Sequence, residues 1–288
     1  MYLVDYHIHT NYTRDATGTV EEYCKRAQEL GLNEIAFTNH LIFPKFKNIP
    51  GIEKSEVSKM SIKLDQIAQH YQEIEKARKQ FDMKIKFGME IDYFEDYEKE
   101  IERVINNHPF DFVLGSTHFV DGFVIGDPNG AIEFFRGRDV FEAYKKYFSG
   151  LKRAIESRLF DVMAHPDIIR KYAVQYANIP FEKYRSQVED IVKALVKNKV
   201  GMELNTYGYI HPVNDSYPSI EFLKICKESG VKIVTIGSDA HSPARLGSEL
   251  RRGIEKLKSI GYDKITLFNC RKPEELSILS TILNNRKQ

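Results

Sequence analysis

The stretch YLVDYHIHT at residues 2–10 places two histidines at the end of a predicted β-strand. Residues 3–7 form the strand in this prediction, and His7 and His9 stand two positions apart. Because residues i and i+2 of an extended chain point to the same side, both imidazoles face one spot. Imidazole is the side chain that most often binds metals. The pattern therefore predicts the beginning of a metal site, although a single H-x-H pair is equally typical of a half-exposed strand end.

Length and composition favour one soluble α/β domain. The 288 residues are 42% hydrophobic, which is enough for a single barrel spanning residues 1–288. Lys and Arg number 42 against 41 Asp and Glu, and this balance favours neither a nucleic-acid nor a membrane partner. Cys24, Cys226 and Cys270 are widely spaced and predict reduced thiols. With no signal peptide or membrane span expected, we predict a cytoplasmic protein and leave open whether it forms a homo-oligomer.

Strand and helix patterns alternate along the whole chain. After the first strand, further strands are predicted at residues 34–38, 84–89, 110–115, 159–164, 200–204 and 231–236, with a short eighth at 264–268. Apolar residues at three- or four-residue spacing predict helices between them, and Pro273 is predicted to open a last helix. This alternation, without a linker, is typical of one parallel barrel or one doubly wound sheet.

A long helix is predicted over residues 53–81, where apolar residues form one stripe. We expect this helix to pack on the body of the fold, and a lid over the site or a dimer contact are the alternatives. His70 lies on the helix and is expected to face solvent, whereas His108 precedes Pro109 in a loop. Neither histidine is predicted to have a functional role.

Metal-binding residue types stand at the ends of six of the seven main strands. In chain order they are His7 and His9, His40, Glu90, His118, His165, and Asp239 with His241, while Asp15 lies in the loop after the first strand. Only the sixth strand ends differently, in Asn205, with His211 close after it. Because the carboxyl ends of parallel strands meet at one face of a barrel, these side chains are predicted to converge on one mouth.

Neutral imidazoles together with carboxylates suit Zn, Mn or Fe. One ion takes about four to six ligands, so this set predicts two or three divalent ions, with Glu90 as a bridge between two of them. Clustered metals activate water and hold both the attacking and the leaving oxygen in phosphoryl transfer. The residues therefore predict a multinuclear hydrolase of a small phosphate ester. The alternative of another class is a barrel that binds metal as a regulator without catalysis.

Six short motifs carry a family resemblance. DYHIHT, AFTNH, GME, GSTH, AHPD and GSDAH, in this order across the whole chain, resemble the metal motifs of the PHP (polymerase and histidinol phosphatase) superfamily. The resemblance implies a distorted seven-stranded (β/α) barrel, similar to a TIM barrel, with a trinuclear metal site at the C-terminal strand ends. It implies three ligand sets: His7, His9, Glu90 and Asp239; then Glu90, His118 and His165; then Asp15, His40 and His241. Many members have His where Asp15 stands.

Within the superfamily, the stretches 202–206 (MELNT) and 217–219 (YPS) resemble the histidinol-phosphate phosphatase branch, as does the long segment between strands two and three. The resemblance implies hydrolysis of L-histidinol phosphate to L-histidinol and phosphate, a late step of histidine biosynthesis. Other superfamily members act on nucleotides, sugar phosphates or phosphotyrosine, and these substrates remain alternatives. The exonuclease module that accompanies polymerases is disfavoured, since no polymerase sequence and no basic face accompany this barrel.

The chain departs from this branch at one position. Ile210 stands where the branch usually carries an arginine that would face the phosphate, and Tyr209 or His211 is a candidate to replace it. Arg170 matches a second family arginine, and its planar fork suits bidentate phosphate binding. Arg14 and Arg245 flank metal motifs and are further candidates for phosphate binding. The catalytic candidates are Glu90, Asp239 and His241, the last two as proton donors to the leaving alkoxide.

Overall fold

Seven parallel strands form a nearly closed barrel in the computed structural model, which describes residues 2–43 and 59–278. The barrel strands, numbered in chain order, are β1 Val4–Ile8, β2 Glu34–Phe37, β3 Lys84–Asp92, β4 Phe112–Ser116, β5 Val162–Met163, β6 Gly201–Asn205 and β7 Val234–Gly237. Their order around the barrel is their order in the sequence. The predicted barrel is thus confirmed, and the doubly wound alternative is excluded.

Backbone hydrogen bonds between β1 and the residues just after β7 bring the two ends of the sheet together. The amide of His9 donates to the carbonyl of Ala240 at 2.9 Å, and the amide of Ala240 donates to the carbonyl of His7 at 3.2 Å. A two-residue strand, His40–Leu41, pairs with β3 so that His40 lies beside Glu90. The backbone pairing of the strands therefore already brings residues of the types that bind metals close together.

Helices cover the outside of the barrel. They span Val20–Leu30, Ile67–Gln80, Glu98–Asn107, Pro128–Phe135, Val140–Ser157, Arg170–Ala173, Phe181–Asn198, Ile220–Glu228 and Leu250–Ser259. The first begins at a capping box in which Thr19 and Glu22 bond reciprocally, and it ends at Gly31 with φ +66°. No helix within the described ranges is both long and apolar enough to cross a membrane.

Buried apolar side chains fill the space between strands and helices. Tyr6, Phe37, Phe87 and Phe112 have almost no exposed surface, and each contributes roughly 1.5–3 kcal/mol through burial. Some apolar residues just before strands are buried without joining the sheet, such as Phe160 before β5 and Val231 before β7. The predicted starts of these two strands are therefore three residues too early, since hydrophobicity does not distinguish burial from strand pairing.

The predicted helix over residues 53–81 is wrong at residues 59–63, which are not helical. A 3₁₀ turn at Leu64–Gln66 leads into the α-helix Ile67–Gln80, and residues 53–58 lie outside the described part of the chain. His70 is fully buried, so the expectation that it faces solvent is also wrong. The helix turns this histidine toward the barrel, where its Nε2 accepts a hydrogen bond from the side-chain amide of Asn39 at 3.1 Å.

The C-terminal prediction needs a second correction. Lys264–Asn269 does form a strand, but it pairs antiparallel with Lys272–Ser277 in a separate hairpin instead of joining the barrel. Pro273 therefore lies in a strand and does not open a helix. Cys270 and Arg271 both adopt positive φ in the two-residue turn. Because such turns usually contain Asn and Gly, this sequence carries no clear hairpin signal.

Candidate metal centre

The alternation of β1 brings the first two candidate ligands together. His7 and His9 are fully buried, and their ring centroids lie 5.0 Å apart. The rings of His9 and His40 are separated by 4.2 Å, and those of His9 and His241 by 4.3 Å. His9 therefore lies inside a cluster of imidazoles drawn from three strand ends, as the spacing predicts.

Glu90 lies at the centre of this cluster and divides its two carboxylate oxygens between different histidines. Oε1 is 2.9 Å from Nε2 of His165 and 3.6 Å from Nε2 of His118. Oε2 is 2.9 Å from Nδ1 of His40 and 3.1 Å from Nε2 of His7. A carboxylate with one oxygen on each side suits a bridge between two cations, which is the role predicted for Glu90.

Two strand-end residues adopt positive φ, a conformation that costs energy for a residue with a side chain. His165 has φ +28° after β5, and Asp239 has φ +54° after β7. This turn brings Oδ1 of Asp239 to 3.2 Å from Nε2 of His9 and 3.5 Å from Nε2 of His7. The positive φ of these two residues directs their side chains into the cluster at a cost in conformational energy.

Asp15 reaches the edge of the cluster from its loop. Its Oδ2 lies 3.6 Å from Nε2 of His241 and 3.7 Å from Nε2 of His40. The structure therefore brings together every residue predicted as a ligand. Four sets of ligand atoms lie within 4.8 Å of one another: His9, His40 and His241; His7, His165 and Asp239; His7, His9 and Glu90; and His40, Glu90 and His118.

The donor atoms fit divalent cations. Nε2 of His9 and Oδ1 of Asp239 lie 3.2 Å apart but not in hydrogen-bonding geometry, and neither these two buried atoms nor Nδ1 of His9 has a hydrogen-bond partner in the described residues. Buried polar atoms in proteins almost always have a partner, so lone pairs left unpaired in one cluster call for a cation. Imidazole nitrogens and carboxylate oxygens are the donors that Zn and related metals bind.

Protonation states follow from the same crowding. Burial and the neighbouring imidazoles of His40 and His241 lower the pKa of His9 well below its usual value, so its ring is neutral. Burial opposes ionisation of Glu90 and Asp239, but the adjoining histidines, His40 foremost for Glu90 and His7 for Asp239, lower the pKa of both carboxyls well below the usual range. His9 and these two carboxyls therefore have the forms that bind metal, neutral imidazole and ionised carboxylate.

For His7 and His40 burial opposes the charged form, but the pKa of His7 is raised well above its usual value by Glu203, and that of His40 is raised to about 9 by Glu90. These two rings have to lose a proton when they bind a metal.

Three buried carboxylates missed in the sequence hold the ligands in place. Glu203 Oε1 lies 2.8 Å from Nδ1 of His7, and its Oε2 accepts the amide hydrogen of His165 at 2.9 Å. Asp92 Oδ2 is 3.2 Å from Nδ1 of His118. Asp5 accepts hydrogen bonds from the amides of Ser238 and Gly247 around the β7 loop. A signal was available for Glu203, because it alternates with Asn205 at the end of β6 and shares its side of the strand.

A cavity of about 280 Å³ opens beside the cluster. One part of its wall consists of candidate ligands: Asp15, His40, His118, Asp239 and His241. The rest is largely apolar and aromatic, and it includes Ile42, Met60, Phe119, Val124, Ile168, Tyr172 and Tyr207. Lys171, His211 and Asp127 add polar groups to this wall. Such a mixture suits a small molecule with one charged end.

The predicted phosphate-binding residues divide into two groups. His211 lines the cavity, and its buried Nε2 has no partner among the described residues. Arg170 does not line the cavity, because its guanidinium bonds to Asp167 at 3.0 Å and Asp215 at 3.1 Å. Three further residues are exposed and lie outside the cavity wall: Arg14, Arg245 and Ile210, the last standing where the branch usually has arginine.

Comparison with known proteins places the chain in a family. Residues 5–207 match the PHP domain. A Deinococcus radiodurans protein named as a probable histidinol-phosphatase is 28% identical over 266 residues, covering 92% of this chain and 96% of that protein. A Lactococcus lactis histidinol-phosphatase is 25% identical over 270 residues, covering 92% and 94%.

A crystal structure of Lactococcus lactis histidinol phosphate phosphatase, complexed with Zn, L-histidinol and phosphate, has the same fold as this chain. The TM-score is 0.79 at 24% sequence identity, and the alignment covers 94% of this chain and 98% of that one. The family match extends over most of the chain and includes all of the clustered residues except those after β7. The chain belongs to the PHP domain family.

Proposed function

We propose that this protein is a metal-dependent phosphatase that hydrolyses L-histidinol phosphate to L-histidinol and phosphate. The observation that carries the proposal is the division of the Glu90 carboxylate between two groups of histidines at one mouth of the barrel. This arrangement suits neighbouring cations, and paired cations are the usual device for phosphate-ester hydrolysis without a covalent intermediate.

The proposed ligands follow the family motifs. One ion would be held by His7, His9, Glu90 and Asp239, a second by Glu90, His118 and His165, and a third by Asp15, His40 and His241. The carboxylate of Asp15 is 3.6–3.7 Å from the imidazoles of its set, whereas that of Glu90 is 2.9 Å from His40, so the ligands of the third set are the most widely spaced. When bound, two or three ions of Zn, Mn or Fe would supply an activated water and positive charge for the phosphoryl group.

The protein itself supplies orientation. Nδ1 of His241 lies 2.9 Å from the carbonyl oxygen of Asp239, which can only accept a hydrogen bond. Nδ1 therefore carries the proton, and Nε2 presents a lone pair toward the Asp15 side of the cluster. This geometry favours ligation by His241 over proton donation, and the lowered pKa of the Asp239 carboxyl likewise favours its ionised, metal-binding form over proton donation.

The named relatives and the cavity support the substrate. Both relatives described above carry the histidinol-phosphatase name over nearly their whole length. The cavity joins the ligand cluster to an aromatic wall and to the carboxylate of Asp127. A phosphate ester with a flat imidazole ring and an ammonium group matches these three surfaces. A cytoplasmic location and a small-molecule partner, with no nucleic acid, form part of the proposal.

Phosphate release tests the proposal. Metal-free protein would be reloaded in turn with Zn, Mn and Fe, and L-histidinol phosphate would be compared with a nucleoside monophosphate, a sugar phosphate and phosphotyrosine. We expect histidinol phosphate to lead by at least about a hundredfold in kcat/KM, which corresponds to about 2.7 kcal/mol of transition-state binding. Equally slow hydrolysis of every ester would contradict the assignment of L-histidinol phosphate as the substrate. Two or more bound ions without any turnover would indicate a regulatory barrel instead.

A further inference from the structure

Lys171 is a buried cation on the cavity wall. Only 9% of its surface is exposed, and it lines the same cavity as His118, Asp239 and His241. Its Nζ donates one hydrogen bond, to the carbonyl oxygen of Gly126 at 3.0 Å. An ammonium has three donors, so the described contacts leave two of them for a ligand.

The surroundings of Lys171 position its charge without neutralising it. Nζ lies 5.2 Å from the ring centroid of Tyr207 and 5.3 Å from that of Tyr172. The carboxylates of Asp239, Asp127 and Asp15 attract the ammonium from a distance, but within residues 2–43 and 59–278 it forms no ion pair. Burial lowers the pKa of Lys171, as expected for a buried ammonium that forms no ion pair in the described part of the chain.

Arg170, the adjacent residue, has the opposite environment. Its guanidinium bonds to Asp167 and Asp215, and Asp215 also pairs with Lys256. The Asp167 side chain in turn accepts the amide hydrogen of Ser219. Arg170 thus joins the loop after β5 to the segment that follows β6, and its donors are used inside the protein.

We propose that Lys171 is the side chain that binds the phosphoryl group of the substrate from the cavity wall. Lys171 supplies positive charge at the cavity wall, whereas the charge of Arg170 is already paired with two carboxylates. The inference rests on the proposed phosphatase function, because it names the recognition group for that substrate's phosphate. A dianionic phosphate in the cavity would accept charge-assisted hydrogen bonds from the ammonium of Lys171, which is itself largely shielded from water.

Substitution of Lys171 tests the proposal in metal-loaded protein. Lys171→Met keeps most of the side-chain volume without the charge, Lys171→Arg keeps the charge, and Lys193→Met on an exposed helix face is the matched control. Bound metal per chain, the Kd of inorganic phosphate by calorimetry, and the KM and kcat for histidinol phosphate would be measured. We expect Lys171→Met to raise the phosphate Kd and the KM roughly ten- to a hundredfold with unchanged metal content.

Lys171→Arg should recover most of the lost phosphate affinity, and Lys193→Met should behave as the wild type. An unchanged phosphate Kd in Lys171→Met overturns the proposal, as does a fall in kcat with phosphate affinity intact, since that pattern belongs to a proton donor. If the wild type does not cleave histidinol phosphate but Lys171→Met still weakens phosphate binding, the substrate assignment fails and the role of Lys171 stands.

Chemical rescue covers the case in which Lys171→Met loses metal or does not fold. Lys171→Cys would be made with Cys270→Ser, because Cys270 is exposed while Cys24 and Cys226 are buried. Alkylation with 2-bromoethylamine restores a cation of nearly the lysine length, whereas iodoacetamide adds a neutral group of similar size. Phosphate affinity that returns only with the aminoethyl group supports the proposal, and equal affinity after both treatments overturns it.

Discussion

Nδ1 of His7 lies 2.8 Å from Oε1 of Glu203, on the side of the ring opposite the atom that faces Glu90. The carboxylate of Glu203 accepts a hydrogen bond from Nδ1, which fixes the ring proton on Nδ1 and leaves the Nε2 lone pair of the neutral ring for a metal. Both residues are fully buried, so water does not compete for this contact. Glu203 also accepts the amide hydrogen of His165, and one side chain thus positions two candidate ligands.

Loss of this contact should weaken metal binding without removing a ligand. We expect Glu203→Ala to reduce zinc affinity roughly 10- to 100-fold, and Glu203→Gln to reduce it less because its amide oxygen can still accept from Nδ1. Zinc titration against a competing chelator measures the change. Glu221→Ala, at an exposed position on the helix Ile220–Glu228, is the control. Equal zinc affinity in wild type and Glu203→Ala would refute the positioning role.

Removal of a proposed ligand should have a larger effect. We expect His7→Ala to lose at least one ion per chain and to reduce phosphate release at least about a hundredfold, because His7 contacts both Glu90 and Asp239. Metal analysis and turnover would be measured on the same preparation. His108→Ala, whose ring instead contacts the carbonyl of Val104 outside the cluster, should match the wild type. Full turnover in His7→Ala would be incompatible with the proposed site.

Arg170 should prove to be a structural residue. Its removal leaves Asp167 buried without its ion-pair partner, and breaking a buried pair costs about 3–5 kcal/mol. Urea unfolding of Arg170→Met should show this loss, while phosphate affinity of the folded protein changes less than about threefold. Arg185→Met, which breaks an exposed pair with Glu182, should leave the unfolding free energy unchanged. A large loss of phosphate affinity with unchanged stability would contradict this structural role and indicate that Arg170 binds the substrate.

Burial of His70 should make the protein sensitive to acid. Burial lowers its pKa to about 3, whereas the unfolded chain titrates near 6.5. Between these values only the unfolded state binds the proton, so the stabilisation is complete above pH 6.5 and decreases as the pH falls toward 3. The titration of His70 alone should therefore lower the free energy of unfolding by about 2 kcal/mol between pH 7.5 and pH 5.

The comparison with His70→Gln isolates that contribution, because glutamine can still accept from Asn39 but does not titrate. The free energy of unfolding of the wild type should fall by about 2 kcal/mol more than that of His70→Gln between pH 7.5 and pH 5. His108→Gln serves as the control and should follow the wild type. Parallel pH profiles for wild type and His70→Gln would show that His70 is not the acid-sensitive group.

Much of the site was predictable because strand geometry is local. Alternation places His7 and His9 on one side of β1, and parallel strands end at one face, so the convergence of His40, Glu90 and Asp239 follows from where the strands stop. The missed Glu203 obeys the same rule. His70 was misjudged for a different reason: its helix offers several faces, and only packing decides which of them turns toward the barrel.

The sequence by itself determined the strand-and-helix alternation and the set of metal-binding residue types at the strand ends, because hydrophobic periodicity and residue chemistry are written along the chain. The periodicity left a barrel and a doubly wound sheet as alternatives, and the closure of the sheet depends on contacts between β1 and the residues after β7. Tertiary structure alone decided which charges are available. Arg170 and Lys171 are neighbours in sequence, yet one is neutralised by Asp167 and Asp215 and the other lines the cavity with donors unused. The carboxylates that neutralise Arg170 include one 45 residues away along the chain. Contacts of that kind arise only when distant segments pack together.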